Sequence, residues 1–246
     1  MCTVTAFYWP KNDSAEGLLL TVTMNRDEAV NRPEGVVQHK NSPSGNLLHW
    51  YPTDAATGGT WFGVGRAGLV FALLNRYQDS QVLGNTAVVS RGAIIPSLLQ
   101  CDSIDEVEQH LSPTYCGNFS PFDLLVFIGG LCHQFSWNGK LLEKQQQAIN
   151  DGFFYTSSSI NMAEVLDVRS EQFRGFVQQY KTYSRHEFSG YVVSALHSLR
   201  GDYNPSYSIN MVRSNRQTRS ICQARVAESK VECDYWPLAV KQAPVS

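Results

Sequence analysis

The chain lacks the features that would mark a nucleic-acid binder, a membrane protein or a metal protein. Its 20 Lys and Arg stand against 22 Asp and Glu, a net charge of −2, and the cations gather into no run. That excludes the electrostatic footprint that a phosphate backbone demands of its partner. No stretch approaches the roughly 20 apolar residues of a bilayer span, and apolar runs such as Leu124 to Ile128 are strand-sized. The first residues lack the basic and long apolar regions of a secretory leader. Cysteines at 2, 101, 116, 132, 222 and 233 form no C-x-x-C pair, and the histidines at 39, 49, 110, 133, 186 and 197 form no H-x-x-x-H or H-E-x-x-H. Structural zinc, a metal centre and a dense disulfide framework are therefore not expected. The sequence also contains no internal repeat and no low-complexity segment. These absences leave a protein expected in the reducing cytoplasm, with no nucleic-acid partner, no integral membrane segment and no cofactor.

Among the features present, 246 residues at 43% hydrophobic content suffice for one sizeable core, and a single domain over 1–246 is expected. Alternating β-branched and aromatic residues predict strands at Thr3–Tyr8 and Leu18–Met24, with a polar turn over Asp13–Gly17 between them. Segment 31–60, rich in Pro, Ser, Gly and Asn with weak periodicity, reads as a long excursion. Short strands at Trp61–Val64 and Leu69–Asn75 follow, joined at Gly65–Gly68. Ser90 caps a predicted helix over Gly92–Gln100, and Ser103 with Glu106 caps another over Ile104–Leu111. Further strands are expected at Asp123–Ile128, His133–Trp137, Leu141–Gln147 and Phe153–Thr156, then helices over Val168–Tyr180 and Gly190–Leu199. Strands at Ile221–Val226 and Tyr235–Val240 close the chain. Strands, two helices, strands, two helices and a late strand suit two antiparallel sheets with helices packed outside them, an α+β arrangement.

Cys2 stands directly behind Met1, and Cys is small enough to permit methionine trimming. A terminal Cys then carries a thiol titrating at roughly 8.5 and an α-amine at roughly 7.7–8.0 on one residue. Nucleophile and base are thereby joined, the logic of enzymes whose terminal amine activates the attacking side chain. The quartet Asn25-Arg26-Asp27-Glu28 ends the predicted second strand. Alternation puts Asn25 and Asp27 on one side and Arg26 and Glu28 on the other, with Asp27 the better-placed companion for Cys2. Gly58 and Gly59 suit a loop needing positive φ or close backbone approach. The remaining cysteines read as small buried hydrophobes. The early aromatics, including Trp61, serve as pocket wall or ordinary core.

Cys2-Thr3-Val4-Thr5, Asn25-Arg26-Asp27-Glu28, Arg32-Pro33, Gly58-Gly59-Thr60-Trp61, Ser90-Arg91-Gly92 and Phe122-Asp123-Leu124-Leu125 occur in one order. In this the sequence resembles the NRDE family, also called the transport and Golgi organisation family. The resemblance implies the four-layer αββα sandwich of N-terminal nucleophile hydrolases and kinship with bile-acid and penicillin-V acylases. It implies catalytic roles for Cys2 as nucleophile, Asp27 beside it, Asn75 as oxyanion donor and Arg219 as electrostatic support. Two positions depart from the acylase pattern. Met24 stands where an Arg precedes the Asp, and Ser157 replaces a second oxyanion Asn, leaving a hydroxyl as donor. Asn25, Arg26, Trp61 and Arg76 are assigned to substrate contact. The implied function is hydrolysis of an amide or related acyl bond in a small molecule. The alternative is a non-catalytic carrier of an apolar ligand, haem or an acyl lipid, on the same fold.

Overall fold

Two antiparallel sheets organise the chain, each in its own unit: residues 1–32 with 150–246 form the first, residues 33–149 the second. The computed structural model describes residues 2–10, 17–77, 89–201, 204–228 and 230–240. The Asp13–Gly17 turn falls outside the described residues except for Gly17.

The first unit holds strands β1 (Cys2–Tyr8), β2 (Leu18–Ala29), β10 (Phe153–Ser157), β11 (Arg216–Ala227) and β12 (Val231–Pro237), in the order β10-β1-β2-β11-β12. Helices α4 (Met162–Tyr180) and α5 (Arg185–Tyr191) and a π turn (Val192–His197) cover one face. Their Phe176, Phe188, Val192 and Leu196 pack with Phe7 and Ile209 into a core. Phe7 meets Phe188 edge to face at 4.7 Å between ring centres, the geometry aromatic quadrupoles favour.

The second unit is a meander, β3 (Glu34–Asn41), β4 (Leu47–Asp54), β5 (Phe62–Gly65), β6 (Val70–Asn75), β7 (Phe122–Ile128), β8 (Leu131–Trp137) and β9 (Leu142–Ala148), its spatial order being its chain order. Alternate residues Phe71 and Leu73 on β6 and Leu124 and Val126 on β7 turn inward. They bury against helices α1 (Ile94–Leu98), α2 (Ile104–His110) and α3 (Pro113–Cys116). Gly129 and Gly130, at φ of 55° and 79°, close β7 onto β8 with the two positive-φ residues that a tight hairpin of matching twist requires. Two antiparallel sheets, each carrying helices, meet the expected α+β class.

Several boundaries differ from expectation for identifiable reasons. The 31–60 excursion is instead the β3–β4 hairpin. β3 is mostly exposed and lies at the sheet's edge, so no apolar alternation announces it. The Gly92–Gln100 helix contracts to a 3-10 turn at Arg91–Ala93 and then α1. This puts Pro96 in the first helical turn, where a missing N–H costs nothing. The last predicted helix starts five residues earlier as α5, at a capping box between Ser184 and Glu187. β2 runs through the Asn25–Glu28 quartet instead of ending at it. β11 begins at Arg216 because it pairs with that extension.

Candidate functional site

Cys2 opens β1, a strand flanked on both sides. Its Cα partners are Ser157 on β10 and Arg26 on β2, and Arg26 is in turn opposite Ser220 on β11. Directly opposed residues in an antiparallel pair share a face, so Ser157, Cys2, Arg26 and Ser220 form one cross-strand row. It lies on the face opposite the helices of this unit. Cys2 is 8% exposed, Ser157 7%, Arg26 4% and Ser220 0%. The hydroxyls of Ser157 and Ser220 find no hydrogen-bond partner among the described residues, an arrangement that native interiors rarely leave unexplained.

Burial pushes the Cys2 thiol above its ordinary pKa. The positive chain terminus pulls it down, the Asp27 carboxylate pushes it up, and a hydrogen bond from the Asp27 backbone N–H to the sulfur lowers it. Asp27 thus reaches Cys2 through its main chain and its field.

The Asp27 carboxylate points to the helix-covered face, a consequence of the side-chain alternation between Arg26 and Asp27. There Arg169 of α4 pairs with Oδ2 at 3.2 Å, both side chains fully buried, and Thr218 Oγ1 donates to Oδ1 at 2.6 Å. Arg169 also donates to Thr3 Oγ1 at 2.7 Å, to Thr156 Oγ1 at 2.8 Å and to the Tyr207 carbonyl at 3.1 Å. Thr156 gives its proton to the Cys2 carbonyl at 3.1 Å. Thr3 must therefore be the donor in the 3.1 Å Thr3–Thr156 contact. One guanidinium so fixes β1, β2 and β10 around Cys2, and the Cys2 backbone is part of the network. A β-bulge makes this possible. Thr218 opposes Asp27 and Ser220 opposes Arg26, leaving Arg219 as the extra residue that sends its two neighbours to opposite faces.

Asn25 serves the same helix-covered face. Its Nδ2 donates to the carbonyls of His197 and Ile209, both at 2.9 Å. Its Oδ1 therefore accepts from His197 Nδ1 at 2.7 Å, which leaves Nε2 to accept from Thr5 Oγ1 at 2.8 Å. His197 is fully buried, and burial drops its pKa to about 3. It is neutral, with both nitrogens engaged.

The structure thus brings Cys2, Asn25, Arg26, Asp27, Ser157 and Arg219 together in the first unit. Trp61, Asn75 and Arg76 belong to the second. Trp61 is buried just ahead of β5, and its carbonyl accepts from the Leu73 N–H at 2.8 Å. Asn75 ends β6 and donates to Tyr77 Oη at 3.1 Å. Arg76 pairs with Asp123 at 3.3 Å, a carboxylate that also accepts from Ser136 Oγ at 2.6 Å. Arg169, Thr218 and His197 escaped the sequence reading. A usable signal existed for Arg169, which shares the buried stripe of α4 with Val165 and Phe176 and so puts a cation where helical periodicity calls for an apolar residue. All six cysteines are free thiols, and Cys233 alone is partly exposed. No described helix is long and apolar enough to cross a membrane.

A family model described as Transport and Golgi organisation 2 matches residues 1–226. Comparison with curated proteins returns no match. Among solved structures, the chain is similar to an N-acylethanolamine-hydrolyzing acid amidase ortholog of Caenorhabditis elegans, at 13% identity and a TM-score of 0.59. The likeness covers 97% of this chain and 100% of that one. At that identity it carries the fold alone, that of an N-terminal nucleophile hydrolase.

Proposed function

The chain belongs to the Transport and Golgi organisation 2 family, and on that footing we propose that it is an N-terminal cysteine hydrolase of a small-molecule amide or related acyl bond. Once Met1 is removed, the α-amine of Cys2 takes the thiol proton. The sulfur adds to the acyl carbon, and the C–N bond breaks as the leaving nitrogen takes that proton back. A thioester results. Water, deprotonated by the same amine, then cleaves the C–S bond, and the sulfur recovers its proton. Burial keeps the thiol protonated, so the step needs a base, and the amine on the same residue is the nearest available.

The observation that carries this reading is the unpartnered, buried Ser157 hydroxyl directly opposite Cys2. Among the described residues it has no acceptor, so it is free to donate once negative charge develops beside the sulfur. A single preorganised donor of this kind is typically worth about 2.7–4 kcal/mol. In the proposal Asp27 orients the nucleophile through its backbone N–H, and Arg169 supplies the cation that Met24 does not. Arg219 adds charge support, and Arg26 contacts the substrate. Asn25 holds β2 to the π turn.

The test assays wild type and Cys2→Ala against a panel of small amides that includes N-acylethanolamines, with intact mass recorded for each protein. The expected result is a wild-type mass without Met1, turnover in wild type and none in Cys2→Ala. Retention of Met1, or equal turnover in both proteins, would falsify the reading. Ser157→Ala should lower kcat about 100-fold and leave KM nearly unchanged, because its hydrogen bond forms only at the transition state.

A further inference from the structure

At the other end of β1 the first unit has a cavity of about 720 Å³, within the range of small-molecule sites. Phe7 stands five residues along β1 from Cys2, roughly 17 Å of extended strand, and on the helix-covered face, so this cavity is separate from the Cys2 row. Phe7, Trp9, Phe173, Val177 and Phe188 line it. Phe7 and Phe188, 5% and 6% exposed, form a recessed floor. Gly152 lets the β10 approach lie against that floor. A Cβ there would sit 2.7 Å from Phe7 and 3.0 Å from Phe173, so the chain meets the rings by bare backbone.

Two cations of the helical segment, Arg174 and Lys181, also line the cavity, opposite one carboxylate, Asp151. Both are exposed. Among the described residues Lys181 makes no ion pair, and Arg174 makes only a 3.3 Å bond from Nε to the Ser170 carbonyl. An aromatic floor beneath cations without carboxylate partners is complementary to an apolar body that ends in a negative group.

We propose that this cavity binds a free anionic amphiphile, an apolar chain or ring bearing one carboxylate or sulfonate, with the head at Arg174 and Lys181 and the body on Phe7, Phe173 and Phe188. The assignment is independent of the chemistry at Cys2.

The experiment titrates the full chain with monomeric dodecanoate by calorimetry and Trp fluorescence, with dodecyltrimethylammonium and anionic phospholipid vesicles in parallel. Dodecanoate should bind saturably with one equivalent, the cationic analogue at least tenfold more weakly. Arg174→Glu/Lys181→Glu, both at exposed positions, should lose at least tenfold in affinity while keeping the wild-type melting temperature. Should that double variant fail to fold, Lys181→Ala alone should still lose severalfold. Cys2→Ala should bind as wild type does. Non-saturable binding, equal affinity for the cation, or charge variants that bind normally would overturn the proposal. So would binding that needs Cys2, or binding to vesicles without binding to the monomer.

Discussion

Arg169 and Asp27 form a fully buried ion pair, and the physics of such pairs is asymmetric. Removing one partner strands the other charge away from water at about 3–5 kcal/mol, whereas removing both can be close to neutral. Arg169→Met should therefore lower the urea-unfolding free energy by about 3–5 kcal/mol. Adding Asp27→Asn should recover a large part of that loss, and an additive double mutant would show that the pair is not coupled. His197 makes a second prediction at this scale. Folded, it resists protonation down to about pH 3; unfolded, it takes a proton near 6.5. Between those values the unfolded state binds more protons, so stability falls as pH falls, by up to about 5 kcal/mol across the window. His197→Asn keeps a donor for Asn25 Oδ1 but cannot titrate. It should be less stable than wild type at pH 7, and its melting temperature should fall less steeply between pH 6 and 4. Parallel melting curves for the two proteins would sink the assignment.

Among the elements, the loop at Gly58–Gly59 shows what a short motif can mean. A Cβ on Gly59 would lie 2.7 Å from the Gly92 backbone, and one on Gly92 would lie 3.0 Å from Gly59 Cα. Thr60 N donates to the Gly92 carbonyl at 2.9 Å across the same contact. Two motifs about thirty residues apart thus cross backbone on backbone. Gly59→Ala should cost about 1–3 kcal/mol in equilibrium unfolding through the forced displacement, and a change below about 0.5 kcal/mol would show that the crossing yields freely. Close approach or positive φ is expected of this glycine pair because both follow from lacking a Cβ, and Gly58 indeed sits at φ 69°. Neither the partner loop nor the Arg219 bulge is legible in the sequence, since both depend on pairing with distant segments. The alternation along β1 and the continuous apolar run of β7 were legible. The exposed β3 and the early start of α4 were not, because burial on one face is what writes the pattern. At the candidate site Cys2, Asp27 and Ser157 were readable as residues. Their distribution over two faces of the sheet was not, because it depends on register.

For the molecule as a whole, the order of strands separates what Cys2 does for the fold from what it does in the proposed chemistry. β1 is an interior strand, held by β10 over Cys2–Ala6 and by β2 over Cys2–Tyr8. It pairs with segments that lie about 150 residues away on one side and about 20 on the other. Such ladders hold the backbone through N–H and C=O groups that exist whatever precedes residue 2. A polypeptide fused ahead of Cys2 should therefore leave the melting temperature within about 2 °C of that of a C-terminally fused protein. The amine–thiol pair, in contrast, exists only when nothing precedes Cys2. The N-terminal fusion should thus show no turnover and no acyl adduct on Cys2 with an activated ester probe, and protease release that exposes Cys2 as the first residue should restore both. Acylation of Cys2 at the same rate in fused and released proteins would mean that a buried thiol reacts without its own amine, and the base assigned to the mechanism would have to be sought elsewhere.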